Sequence, residues 1–330
     1  MPSFRQWLDA LRAALNPPAQ PPKPTQPGQQ PPAASTPPVK YKIVERWRTG
    51  KETKGSGLFI RNTGTVLDAV YDNKSRKDTW LREDGVQFKH INGETANFFD
   101  TADGRTWITV EKGTDGEQYE LIGRTLRGLG WQAHYCGCGC EYGGAPHWLD
   151  CAKGGNPTLR DIRGRVILNV PGQGIPYDCL VRGGAVYASI CDGEQNGIAI
   201  VTATEREFIK CDARGLTVRG GRVIAGVAGT LQVVANGALT PAFANGRLGN
   251  SIDSMATDGS GATWISTSAP DCLWRWDAGG EMVKVAEFAD DSDGGALFRS
   301  RVAARAGRVA WGRNDKRNGN RWVVFDIVRA

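Results

Sequence analysis

Seven glycines recur at near-forty-residue intervals, each opening a short run of alternating apolar residues, and no other feature limits the fold as tightly. They are Gly64 (Gly-Thr-Val-Leu-Asp), Gly104 (Gly-Arg-Thr-Trp-Ile), Gly144 (Gly-Ala-Pro-His-Trp-Leu), Gly184 (Gly-Ala-Val-Tyr-Ala), Gly221 (Gly-Arg-Val-Ile-Ala), Gly261 (Gly-Ala-Thr-Trp-Ile) and Gly307 (Gly-Arg-Val-Ala-Trp). The intervals are 40, 40, 40, 37, 40 and 46 residues. Eleven Asp-Gly or Asn-Gly pairs punctuate residues 39–330, and both dipeptides suit hairpin turns because they tolerate positive φ. Units of this length, each with room for four strands, predict an all-β chain folded as a β-propeller of seven four-stranded blades. The last unit is one strand short. The alternating stretch from Lys40 to Trp47 predicts the missing piece, an N-terminal strand that completes the last blade and removes the open edge of the ring.

The chain ahead of residue 39 has a different character. Ten of the 17 prolines fall between Pro17 and Pro38. With few apolar side chains and few backbone donors, residues 17–38 read as an extended proline-rich linker. Residues 1–16 read as a short amphipathic helix, with Phe4, Trp7, Leu8, Leu11 and Leu15 at helical spacing. A helix this short is marginal alone in water, so its apolar stripe is expected to dock onto a larger protein assembly or to self-associate. No apolar run is long enough to span a membrane. Residues 1–5 lead into no apolar core of a secretion signal. A net charge of +6 is mild and does not call for a nucleic-acid partner.

Chemistry-bearing residues cluster in two places. Cys136, Cys138 and Cys140 alternate along one predicted strand, with His147 and Cys151 beyond the next turn. Three thiolates and a fourth ligand suit zinc, the same spacing suits a disulfide such as Cys140 to Cys151, and reduced thiols are the third outcome. No other cofactor is expected. The last repeat is basic, and Arg305, Arg308, Arg313, Lys316 and Arg317 are candidates to meet an anionic ligand such as a surface polysaccharide. The chain has three histidines, His90, His134 and His147, which leaves few choices for a histidine-based catalytic triad. Glycosidase chemistry would use paired carboxylates, or a tyrosine nucleophile with arginines gripping an acidic sugar, and no catalytic residue stands out.

Two turns resemble the Asp-box of sialidase-like propellers, Ser-x-Asp-x-Gly-x-x-Trp. Thr101-Ala102-Asp103-Gly104-Arg105-Thr106-Trp107 is one residue short, and Thr257-Asp258-Gly259-Ser260-Gly261-Ala262-Thr263-Trp264 is one long. The resemblance implies a structural hairpin on the rim and no catalytic residue. The plan of helix, spacer and propeller resembles the anchor-and-head plan of bacteriophage tail and collar appendages. That resemblance implies a non-enzymatic virion protein, assembled in the host cytoplasm, whose head binds a host surface glycan or another virion protein. The alternatives are a glycan-processing propeller enzyme, sialidase-like or lyase-like, and a cytoplasmic interaction scaffold.

Overall fold

The computed structural model describes residues 41–48, 53–72, 78–93, 95–134, 138–151, 155–243, 246–268, 270–288, 301–305, 307–315 and 321–329. The expected helix over residues 1–16 and linker over 17–38 lie outside them. The described residues form 28 strands in seven four-stranded antiparallel sheets and no helix. Blade one is β2 (Thr53–Ile60), β3 (Val66–Asp72), β4 (Asp78–Glu83) and β5 (Val86–Asn92). Blade two is β6 (Thr95–Asp100), β7 (Thr106–Lys112), β8 (Asp115–Ile122) and β9 (Thr125–His134). Blade three is β10 (Cys138–Tyr142), β11 (Ala145–Cys151), β12 (Pro157–Arg160) and β13 (Val166–Asn169). Blade four is β14 (Gln173–Arg182), β15 (Ala185–Gln195), β16 (Gly197–Val201) and β17 (Arg206–Lys210). Blade five is β18 (Ala213–Arg219), β19 (Arg222–Val227), β20 (Thr230–Ala235) and β21 (Ala238–Pro241). Blade six is β22 (Ser251–Thr257), β23 (Thr263–Ser268), β24 (Asp271–Trp276) and β25 (Met282–Phe288). Blade seven is β26 (Arg301–Arg305), β27 (Arg308–Asp315) and β28 (Arg321–Arg329), completed from the other end of the chain by β1 (Tyr41–Arg48). The first strands touch one another in cyclic order from β2 round to β26 and back, so the ring is closed about an axial channel.

Each repeat glycine sits in the turn that leads into the second strand of its blade. All seven adopt positive φ, between 75° and 85°, a conformation that costs glycine nothing. The turns at Gly64, Gly104 and Gly261 share one hydrogen-bond pattern. Gly104 N–H donates to the Thr101 carbonyl at 2.9 Å and Gly261 N–H to that of Asp258 at 3.0 Å. In the second Asp-box-like turn the Asp258 carboxylate accepts Ser260 N–H (2.8 Å), Ala262 N–H (3.2 Å) and the Trp264 indole N–H (2.9 Å). In the first, Thr101 Oγ1 accepts the Trp107 indole N–H at 3.1 Å. Asp161 organises a third such turn by accepting N–H from Arg163 and Arg165, both at 2.9 Å, although no tryptophan follows it.

Arginines tie three of the repeat-glycine turns to the blade beside them. Arg182 donates to the Gly221 carbonyl (3.2 Å), Arg219 to that of Gly261 (2.8 Å) and Arg308 to that of Gly64 (3.0 Å). Between blades the core is apolar and aromatic. Fully buried Trp148 meets Phe99, Trp107 and Trp131 edge-on, with ring centroids 5.4–5.8 Å away. Truncating such a hub removes its transfer energy and leaves a cavity, so Trp148→Ala is expected to cost about 3–5 kcal/mol by denaturant titration. Trp148→Phe should cost much less, since it keeps the edge contacts and removes an indole N–H that has no hydrogen-bond partner among the described residues.

The closing strand is held by more than its ladder. It pairs with β28 in register from Tyr41↔Arg329 to Arg48↔Val323, with a bulge at Arg46. The bulged Arg46 pairs with buried Asp326, which Arg308 Nε also approaches at 3.6 Å. The Trp47 ring lies under the Arg82 guanidinium, 4.0 Å from its centroid. Arg82 grips buried Asp68 through Nε at 3.0 Å and Nη2 at 2.5 Å. Burial pushes the Asp68 carboxyl up to about 6 even though Arg82 pulls the other way.

Candidate functional site

The first strand of a blade has one free edge, facing the axis, and what it presents there depends on its regularity. Four of these strands are irregular at a similar level. The register with the second strand slips at Gly57 on β2, at Tyr177 on β14, over Arg214 and Gly215 on β18, and at Asp253 on β22. A bulge leaves a residue unpaired and re-aims its side chain, and bulges concentrate beside functional sites. Here they accompany polar side chains that line the channel on blades four and six.

Two connected spaces lie along the axis. The larger has a volume of about 380 Å³, within the range of small-ligand sites, and is lined by Tyr177, Asp178, Asp253, Ser254, Arg301 and Arg305 among others. The smaller, of about 90 Å³, shares Leu58, Tyr177, Asp178 and Arg301 with it and adds Asn97, Phe98 and Cys138. Asp178 and Arg301 therefore stand where the two spaces meet. The Asp178 side chain touches channel solvent, yet protein surrounds it on every other side. That burial pushes its carboxyl up to about 6, against the opposing pull of the Leu216 N–H at 2.8 Å and the Arg301 charge. Buried Ser189 fixes the bulge, accepting Asp178 N–H at 3.1 Å and donating to the Arg214 carbonyl at 2.7 Å. Asp253 is engaged by Arg214 at 3.8 Å and by Ser268 Oγ at 3.3 Å. Among the described residues no carboxylate lies within 4.0 Å of the Arg301 guanidinium, so its charge is open to an incoming anion.

Of the residues singled out by sequence, Arg305 lines the larger space and Cys138 the smaller. Arg305 pairs with Asp100 at 3.4 Å and Arg308 with Asp84 at 3.2 Å, so these two arginines join blades and do not form an open anion patch. Lys316, Arg317 and Cys136 lie outside the described residues, as do Phe4, Trp7, Leu8, Leu11 and Leu15. Arg313 lies on β27. Cys140 faces His147 across the β10–β11 ladder, which puts Cys151 four residues further along β11. That is about 13 Å at the usual strand rise, beyond disulfide reach, so the expected Cys140–Cys151 bridge is excluded by register. Cys151 instead donates to the Gly155 carbonyl at 3.4 Å, and His147 Nδ1 lies 2.9 Å from the Ala145 carbonyl. Among the described residues no group of three or more His, Cys, Asp or Glu is arranged to hold a metal, and Cys136, one of the expected zinc ligands, lies outside them. The histidines lie on β5, β9 and β11, away from the channel-lining strands.

No protein-family model matches the chain, and neither does any curated protein. Solved structures do. Virginiamycin B lyase from Staphylococcus aureus superposes with a TM-score of 0.60 at 10% identity, over 88% of this chain and 100% of that one. The same enzyme, solved with quinupristin as a catalytically inactive histidine-to-alanine variant, superposes with 0.60 at 9%. A streptogramin B lyase gives 0.64 at 10%, over 88% and 98% of the two chains. The extracellular domain of a hybrid two-component system from B. thetaiotaomicron gives 0.57 at 13%, over 87% of this chain and 42% of that one. These proteins are lyases and a bacterial extracellular domain, and none is a virion part. The expectation of a non-enzymatic phage appendage is overturned by them, and the enzyme alternative fits better. At such identity the likeness is one of fold: the chain is a seven-bladed propeller with the architecture that these lyases share.

Proposed function

We propose that the chain is a lyase-like enzyme acting on an anionic, carboxylate-bearing glycan in its axial channel. The observation that carries this reading is Asp178, a carboxylate kept near pH 6 by burial, open to a cavity of ligand size and facing an arginine with no competing carboxylate. Arg301 would receive the substrate's carboxylate. Its positive charge would stabilise the negative charge that develops when the neighbouring carbon loses a proton. Asp178, ionised at pH 7, would take that proton. The electron pair forms a carbon–carbon double bond, and the bond to the β-oxygen breaks. The departing oxygen leaves with its electrons and takes a proton from Tyr177 or water. A histidine base, whose role the inactive variant of virginiamycin B lyase suggests for that enzyme, has no counterpart on these channel-lining strands.

The test is incubation with a panel of polyuronates, following the absorbance of the unsaturated product. Arg301→Gln is expected to raise KM at least tenfold and to lower kcat/KM about a hundredfold, as befits loss of a charge-assisted contact to substrate and transition state. Reducing ends without unsaturation would indicate hydrolysis and overturn the lyase step. Turnover indifferent to Arg301 would overturn the site.

A further inference from the structure

A second cluster of reactive groups lies against the small channel space, and the proposed chemistry does not use it. Cys138 and Cys140 stand two residues apart on β10 and so share one face of the strand. Cys179 follows Asp178 on β14, the first strand of the next blade. The three belong to one packed cluster with Leu149, Leu159 and Val186. The Cys179 thiol is hydrogen-bonded to both Cys138 and Cys140, so three sulfurs meet at the seam between blades three and four. None of the three is in a disulfide. Cys138 also lines the small space beside Tyr177, Asp178 and Arg301, and half-buried Cys179 packs against it from the next blade.

We propose that Cys138 and Cys179 form a redox-responsive pair, closing a disulfide across the seam between blades three and four when a small disulfide enters the channel. The exchange proceeds in two balanced steps. The Cys138 thiolate attacks one sulfur of the small disulfide, giving a mixed disulfide and releasing one thiolate. The Cys179 thiolate then attacks the Cys138 sulfur and releases the second thiolate. The protein pair loses two electrons, the small disulfide gains them, and the two protons end on the released thiols. The link would fasten the chain neighbour of Asp178 to β10.

The surroundings also set when this happens. Hydrogen bonding within the cluster, and then burial, hold the Cys179 and Cys140 thiols well above the ordinary thiol range. The Cys179 thiolate is the species that closes the link, so closure is slow at neutral pH and accelerates as pH rises. This keeps the cluster reduced under mild conditions and distinguishes it from an exposed cysteine.

The experiment treats the full chain with oxidised glutathione at neutral and at mildly alkaline pH, quenches with an alkylating agent and maps disulfide-linked peptides by mass spectrometry. The expected result is a Cys138–Cys179 peptide pair lacking two hydrogens, formed at least tenfold faster at the higher pH and reversed by dithiothreitol. It should persist in Cys140→Ser and be absent from Cys179→Ala. Three unlinked thiols after complete oxidation of an exposed model thiol in the same tube would overturn the proposal. So would a glutathione adduct on Cys138 that never resolves, or a link that joins Cys140 to Cys179 alone. The wild-type map needs no variant to fold. Because it reads mass and not turnover, its failure leaves the catalytic reading standing, and loss of the catalytic reading leaves the thiol pair standing.

Discussion

Asp178→Asn is expected to lose activity and gain stability at once. If Asp178 is the base, its neutral isostere cannot take the proton, and kcat/KM should fall about 10²- to 10⁴-fold. The amide oxygen can still accept the Leu216 N–H, so the bulge should survive. The stability effect follows from linkage. The carboxyl sits at about 6 in the folded protein against an ordinary 3.8, so the native state holds its proton more tightly than the unfolded chain does. The favourable contribution of this group is complete below the unfolded value and is lost as pH rises through about 6. At pH 7 an ionised Asp178 therefore weakens the fold by up to about 3 kcal/mol, and Asn removes that penalty. Thermal denaturation at pH 7 should show a higher Tm for the variant, with the gap closing toward pH 4. An unchanged or lower Tm at pH 7 would mean that Asp178 is not held at a cost.

Deleting residues 1–48 is expected to abolish cooperative folding. Residues 41–48 supply one whole strand of blade seven, and without them β28 becomes an exposed edge. Tyr41 meets Trp264 edge-on at 5.5 Å, Ile43 packs in the same cluster, and Trp47 covers the Asp68–Arg82 pair. Complete burial of a large apolar side chain is worth ~1.5–3 kcal/mol, so these three partly buried ones together contribute at most roughly 5–9 kcal/mol, a large part of the net stability of an ordinary domain. Asp326 would also lose its Arg46 partner. A deletion ending at residue 39 leaves all of these contacts in place and serves as the control. The longer truncation should lack a sharp denaturant transition and bind a hydrophobic dye, whereas the shorter should unfold as the full chain does. Matching transitions for the two truncations would refute closure by this strand.

Much of this architecture was legible in the sequence because local chemistry and global geometry coincide at the turns. Gly64 to Gly307 had to be glycine for the same reason that they recur, a positive φ at one place in every blade. The alternation of residues 40–47 announced a strand, and the incomplete last repeat announced where it goes. The candidate site was not legible in that way. Tyr177 and Asp253 reach the channel through bulges, and a bulge is a mismatch between two strands that neither strand shows alone. Asp178 and Arg301 come from blades four and seven, and only ring closure makes them neighbours. Cys179 packs against Cys138 and Cys140 of the adjacent blade, a neighbourhood that spacing along the chain does not reveal. The cysteine spacing suggested a partner within the repeat, but ladder register moved Cys151 out of reach. The arginines of the last repeat suggested an anion patch, but Arg305 and Arg308 serve as ties between blades.

The pH dependence of kcat/KM on a responsive polyuronate, compared between wild type and Asp178→Asn, tests the central claim most directly. The account predicts a wild-type acid limb that rises through about pH 6 as Asp178 ionises, and a residual variant rate that has lost this limb. A variant that keeps both the rate and the limb would show that the catalytic base lies elsewhere, and would remove Asp178 and the axial channel from the mechanism.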